Sequence, residues 1–548
     1  MVKWISLKER NMHTRNTAIA TLVFVTIYNI VFFHTNVGIG TGFLFLALNS
    51  YFFFTRNRDG KNIQLANYSA VVGVIFAFLF SLRDNGIVQL VNFAAATFFS
   101  FVALYLYKYI GNIPFTIPSF IAMPLLVLKS AVKSFFSLLK QDTWTSKNLE
   151  KDTTSSFVRG LIIAVPLVGV LLFLLTQADP IFNKLTQNVL ANMGERVFVS
   201  LLIFIGLMSF GLARILETIF EEKEAAHVPL GKAHELAVIT GSVISLFAVF
   251  IAVQFRYLFF SVGEKELSQL GIASLTYSEY VRKGFFELLI ASVIASGVII
   301  YVLKYLHQLK DRQKQLVQIF SGVMTIETGL LLLSAVKRVF LYADAHGLTR
   351  ARVFGFVFLV WLAVLLVIFL VRIFREMKKE QFVGSVLITT LFVTLLINVI
   401  NVDGMIATKY KPTVNNEVDY YYLVYLSADA SDSWIPAIEN ADKILSQLNG
   451  IAKFSPDDNR KLYWVRSTLE ELMIQSDYLT KKYGDVKVQW QSYNMSEYSA
   501  YKTIRENSNT FSKIKSLLSK VNTLQNRASI EVQQNTPIDR STKPPLVH

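Results

Sequence analysis

The chain has 548 residues, 53% of them hydrophobic and only 17% charged, with a formal net charge of +15. Ordinary soluble domains are about 25% charged, so this composition excludes one, and it excludes disorder over most of the length. Cysteine is absent, which removes disulfide scaffolds, thiolate metal sites and cysteine nucleophiles.

A membrane span takes about 20 mostly apolar residues. Runs of that kind lie near residues 16–33, 38–55, 68–82, 86–107, 157–176, 196–216, 236–255, 285–303, 316–336, 353–371 and 382–401. They predict an all-α fold: a polytopic transmembrane helix bundle of about eleven spans with a soluble, α-helical C-terminal region. No small-residue cleavage site follows the first run, so it reads as a retained helix. With the N-terminus cytoplasmic, 25 Lys and Arg fall in cytoplasmic segments and 11 in outer loops. That bias sets the orientation.

Residues 109–128 are uncharged and long enough to span, but contain Pro114, Pro118 and Pro124. If they crossed, every later loop would flip and the tally would fall to 18 against 18. The charge rule therefore favours a segment that does not cross. Just beyond, Lys129, Lys133, Ser137 and Lys140 share one helical face, and Leu128, Val132, Phe135 and Leu139 share another. That pattern predicts a basic amphipathic helix on the cytoplasmic leaflet.

The expected sections are a four-span part (1–107), a cytoplasmic interfacial segment (108–156), a seven-span core (157–410), a helical soluble domain (411–526) and a disordered tail (527–548). From residue 411 the charges nearly balance, 17 basic against 16 acidic, and no long apolar run remains. Ser455, Pro456, Asp457 and Asp458 form a helix start. Leu462, Val465, Leu469 and Leu472 mark its apolar face, Gly484 ends it, and a further helix is expected from about Ser496 to near Asn526.

Two carboxylates fall inside spans, Glu287 and Glu327. Such charges are costly and usually face a bundle interior. Glu327, Ser334 and Arg338 share one stripe, which serves either as packing glue or as a polar path. Four outer segments are rich in Arg, Tyr and acids. Arg256, Arg282, Lys283, Lys337, Arg338, Arg350 and Arg352 run against the inside bias, so local partners must retain them, and Asp179, Glu279, Asp344 and Asp403 are available. The candidate polar cleft is therefore Asp179, Arg256, Tyr257, Tyr277, Glu279, Tyr280, Arg282, Glu287, Glu327, Arg338, Tyr342, Asp344 and Asp403. Arg and Tyr together suit a lipid or glycan phosphate. A salt-bridged cap with interfacial Tyr anchors explains the same residues.

Phosphate-loop, zinc-protease and nucleophile-elbow motifs are missing. No catalytic residue, cofactor or metal is expected, and the protein reads as a non-enzyme. The positive charge sits at membrane boundaries, which accounts for it without a nucleic-acid partner.

Several stretches resemble multi-spanning bacterial families known as domains of unknown function 4173 and 4153, the former fitting better. They are ADPIF at 178–182, RYLF at 256–259, LTYSEYVRKGFFELL at 275–289, LYADAHGLTRARV at 341–353, NVDGMIATKY at 401–410, DYYYLVYLSADA at 419–430 and VQWQSYNMSEYSA at 488–500. The chain departs from the family pattern at His346, where Tyr is usual, and at Glu497, where Arg is frequent. The resemblance implies a bacterial cytoplasmic-membrane protein and imports no activity. The N-terminus is expected inside and the tail outside. Three functions follow as expectations: a scaffold or sensor whose tail binds a protein partner, a carrier using Glu327, or an enzyme handling an envelope lipid or glycan phosphate.

Overall fold

The computed structural model describes residues 7–33, 35–57, 62–111, 113, 115–138, 193–212, 232–259, 277–306, 309–375, 377–414, 417–451, 453–484 and 489–535. The expected span at 157–176 and Asp179 lie outside them. Among the described residues nine helices are long and apolar enough to cross a membrane. Ile39–Phe54 and Val199–Gly211 are shorter apolar helices. The described strands amount to a two-residue antiparallel pair, so the fold is an all-α polytopic bundle.

The chain divides into two compact units. The first comprises Met1–Leu82, Ile87–Glu224 and Gln489–Asn494. Its helices are α1 (Leu7–Ile27), α2 (Ile39–Phe54), α3 (Ile63–Phe78), α4 (Gly86–Lys108), α5 (Ile117–Leu138) and α6 (Met193–Gly211). α3 buries Ala66, Ser69, Ala70, Gly73 and Ala77. Small residues let helices approach closely in lipid, where apolar burial supplies no drive between them. A Cβ on Gly73 would lie 2.9 Å from the Ser100 hydroxyl of α4, and the Asn49 amide of α2 donates to that hydroxyl at 2.9 Å. Lys108 ends α4 fully enclosed. Its ammonium donates to the Thr55 carbonyl and, at 2.6 Å, to the Gly211 carbonyl. Those carbonyls close α2 and α6, the negative ends of two helix dipoles.

α5 takes in part of the 109–128 segment read from sequence as non-crossing, and its Ile117–Phe135 stretch is long and apolar enough to cross. It runs as one helix through Pro124. The tail segment Gln489–Asn494 seats on the start of α2: the Ile39 amide donates to the Tyr493 carbonyl at 2.9 Å, and Trp490 meets Phe43 edge-on at 5.5 Å. A Cβ on Gly38 would fall 2.5 Å from the Ser492 backbone carbon, so this approach needs glycine.

The second unit comprises Arg83–Gly86, Ala225–Val488 and Met495–His548. It holds the apolar helices α7 (Lys232–Phe259), α8 (Tyr277–Leu306), α9 (Asp311–His346), α10 (Arg350–Phe374) and α11 (Lys379–Val399). α9 packs against α7, α8 and α10. The tail follows as α12 (Val402–Thr408), β1 (Thr413–Val414), β2 (Glu417–Val418), α13 (Tyr420–Val424), a 3-10 turn at Ala428–Ser433, α14 (Trp434–Asn449), α15 (Pro456–Tyr483), α16 (Met495–Glu506) and α17 (Ser508–Asn535). These tail helices belong to the same compact unit as α7–α11.

The Ser455 hydroxyl accepts the Asp458 amide at 3.2 Å and caps α15 as its sequence predicts. The expected helix from Ser496 is two helices, α16 and α17, parted at Asn507, whose side chain turns back to the Thr503 carbonyl at 2.9 Å. α17 reaches Asn535, beyond the expected end near 526. The sequence between carries no Gly or Pro to stop it sooner. Residues 277–285 and 337–346, expected as outer-loop segments, are the first turns of α8 and the last turns of α9. Gly347 ends α9 with φ at +71°. A Cβ there would fall 2.4 Å from the Lys411 carbonyl oxygen, so this turn also needs glycine.

Candidate functional site

Among the described residues of the second unit, one polar cluster gathers short segments from six places in the chain. The first is Arg83, Asp84 and Asn85, which precede α4. Two others start helices: Arg350 is the first residue of α10, and Asp403 lies in the first turn of α12. The remainder are Ser427 and Asp429 at the 3-10 turn, Ser496 and Glu497 in the first turn of α16, and Lys482 at the end of α15.

Asp403 is the hub, and its side chain has no exposure. Arg350 grips it with a two-pronged fork, Nε to Oδ1 at 2.8 Å and Nη2 to Oδ2 at 2.5 Å. The Asn85 amide donates to Oδ1 at 2.9 Å. Ser427 donates to Oδ2 through its amide at 3.2 Å and its hydroxyl at 2.5 Å. Burial alone would raise this carboxyl, but the Arg350 fork outweighs it, helped by Ser427, and holds it below the usual carboxylate range. Tyr422 supports the fork by accepting the Arg350 amide at 2.9 Å.

Asp429 is the second hub. It accepts Arg83 Nη1 at 3.2 Å, the Asp84 amide at 3.0 Å and the Ser496 hydroxyl. The Ala428 amide returns to Asp84 Oδ2 at 3.1 Å, so the two segments hold each other reciprocally. Arg83 also caps α11, donating to the Asn398 and Val399 carbonyls at 3.0 Å each. Beside them Glu497 accepts Lys482 at 2.5 Å and the Tyr483 hydroxyl at 2.8 Å. Three of the four carboxylates thus sit in ion pairs: Asp403 with Arg350, Asp429 with Arg83, Glu497 with Lys482. Asp84 is the fourth. Burial pushes its carboxyl up to about 7, the Ala428 amide opposes that, and the Glu497 and Asp429 charges add to the rise.

Of the residues picked from sequence, Asp403 stands in this clasp. Arg338 is buried near the end of α9, and Asp344 is exposed on its last turns. Glu327 lies mid-α9, with Oε2 buried and receiving no hydrogen bond among the described residues; the Ser334 hydroxyl, seven residues on, is likewise buried without a partner among them. Arg256 and Tyr257 fall in the last turns of α7, Tyr277, Glu279, Tyr280, Arg282 and Glu287 in the first turns of α8, and Tyr342 near the end of α9. Their side chains lie outside the described residues, as does Asp179. Arg350, noted as a charge that needs a local partner, finds it in Asp403. The sequence reading missed Asp84, Asn85, Ser427 and Asp429. One signal was present, a pair of adjacent charges in a turn of a few residues between two apolar runs. Among the described residues no group of three His, Asp or Glu side chains is placed to hold a metal ion.

Helices of this length and apolarity, closed by a buried ion-pair clasp, define a polytopic helical membrane protein. The chain belongs to the family described as Domain of unknown function (DUF4153), whose model matches residues 70–437. No curated protein and no solved structure matches it. Arg350, Asp403, Ser427 and Asp429 fall within the matched residues.

Proposed function

We propose that this protein is a membrane-embedded scaffold or sensor whose helical tail is presented by the clasp around Asp403. The observation that carries this is the concentration of buried charge, three ion pairs beside the Asp84 carboxyl, where tail segments meet Arg350 and Asp84. Buried ion pairs contribute little net stability but fix one arrangement against others. A scaffold needs that fixity more than a solute path does.

The clasp also bears on topology. Arg83–Gly86, Arg350 and Asp403 share one cluster, so they sit on one side of the bilayer and an even number of crossings separates residue 86 from residue 350. The described helices between them are α4–α9. Three helices precede Arg83. Three crossings there would put the tail opposite the N-terminus, which supports a cytoplasmic N-terminus and an extracytoplasmic tail in a bacterial cytoplasmic membrane. Kinship with the 4173 family fits the same picture. The tail's partner is a protein, and the span ends face the lipid bilayer and its anionic headgroups or glycans.

One experiment tests side and role together. Tyr463 on α15 is 58% exposed, and the chain has no native cysteine. Tyr463→Cys carrying an impermeant photoreactive thiol reagent should label in intact cells and capture a second protein. Protection from the reagent overturns the outward tail, and adducts confined to this chain overturn the scaffold.

Glu327 supports a second reading, a carrier. A carboxylate oxygen that receives no hydrogen bond in the middle of a span is a default candidate for proton or cation handling. Glu327→Gln in proteoliposomes should then abolish proton-coupled uptake, and unchanged uptake removes this reading.

A further inference from the structure

We propose that Asp84 is a proton-binding site that operates the clasp: the protonated carboxyl closes it, and ionisation loosens it by setting Asp84 against the Asp429 and Glu497 charges. The proposal rests on the sensor reading and supplies its signal. It stands first on a charge imbalance. Four carboxylates (Asp84, Asp403, Asp429 and Glu497) face three cations (Arg83, Arg350 and Lys482), and each cation is in an ion pair with one of the other three acids. Among the described residues none lies within ion-pair distance of Asp84.

Every packed element around Asp84 has a defined charge. Its own turn brings Arg83, committed to Asp429 and to the α11 carbonyls. The 3-10 turn brings Asp429, and α16 brings Glu497. α15 brings Lys482, engaged with Glu497, together with the phenols Tyr478 and Tyr483. α12 and α10 bring Asp403 and Arg350, joined to each other, with the Tyr422 phenol of α13 on the Arg350 amide. A second negative charge on Asp84 would meet Asp429 and Glu497, and Lys482, already paired with Glu497, offsets it only in part. A neutral carboxyl still accepts the Ala428 amide through its carbonyl oxygen. Burial and those two neighbours raise Asp84 to about 7, so its proton is exchanged near neutrality.

The sign follows from linkage. In the closed clasp the carboxyl holds its proton up to about 7; in the open, solvated clasp it titrates at about 3.9. Closure is fully favoured in acid, weakens about tenfold per pH unit between about 4 and 7, and is flat above that. The test is amide hydrogen exchange of residues 427–433 in the full chain in lipid nanodiscs, from about pH 5 to about pH 9. Wild type is compared at each pH with Asp84→Asn, whose neutral amide oxygen still accepts Ala428. The expected result is that wild-type protection falls relative to Asp84→Asn, about tenfold per unit up to neutrality, then levels off. Parallel profiles in the two proteins overturn the proton site and leave the scaffold standing. A profile moved by added magnesium and not by pH also overturns it. Absence of protection in both proteins at every pH overturns the clasp, and with it the scaffold.

Discussion

Asp403→Ala is expected to destabilise the second unit by about 3–5 kcal/mol, the usual effect of removing one partner from a buried ion pair. The reason is what stays behind. Arg350 keeps a guanidinium aimed into the site, with its fork empty. The Asn85 amide and the Ser427 amide and hydroxyl lose their acceptor together. The dipole at the start of α12 loses the acid in its first turn. Asp403→Asn should cost less, since it keeps an acceptor but adds donors facing Arg350. The double variant Arg350→Met/Asp403→Leu should recover most of the loss, because it removes both charges at once. Thermal unfolding in detergent, followed by proteolysis of the tail, measures all three. A single Asp403→Ala variant as stable as wild type would show that the cluster is a solvated surface network and not a clasp.

Much of the fold was legible because spans are written in composition. The α15 start was legible for a local reason: Ser455, Pro456 and the two acids satisfy helix-end amides within one turn. α5 was not, because its apolar length argues for crossing while its prolines and flanking lysines argue against, and no local rule ranks the two. The helical start of α8 was obscured by charges that read as a loop. At the site, the Arg350–Asp403 pair was within reach, since an arginine on the disfavoured side needs a nearby acid. Asp84 was out of reach because its partner Ala428 is 344 residues away, and nothing local distinguishes it from a loop acid. Glu497 shows the same limit from the other side: only the fold reveals Lys482 as its partner.

Trp434→Ala is expected to cost about 3–5 kcal/mol by opening a cavity in the tail core. Trp434 is fully enclosed at the start of α14 and meets Phe511 of α17 edge-on at 6.5 Å. Around it Ala437, Ile438, Ala441 and Leu445 continue the buried face of α14. The indole Nε1 is buried with no acceptor, so Trp434→Phe, which removes that orphan donor, should fall within about 1 kcal/mol of wild type. Pulse proteolysis reads both. The Ala variant should become cleavable in α14, α15 and α17, while the Phe variant stays resistant. The comparison with Asp403→Ala separates two functions that share one unit. Losing Asp403 should free a tail that still resists protease, whereas losing Trp434 should melt the tail helices themselves. Trp434 follows directly on the 3-10 turn that carries Asp429, so melting α14 should also release the Ala428 amide from Asp84. If exchange at Ala428 instead stays slow in Trp434→Ala, the clasp holds independently of the domain it presents, and a signal beginning at Asp84 has no rigid path into the tail.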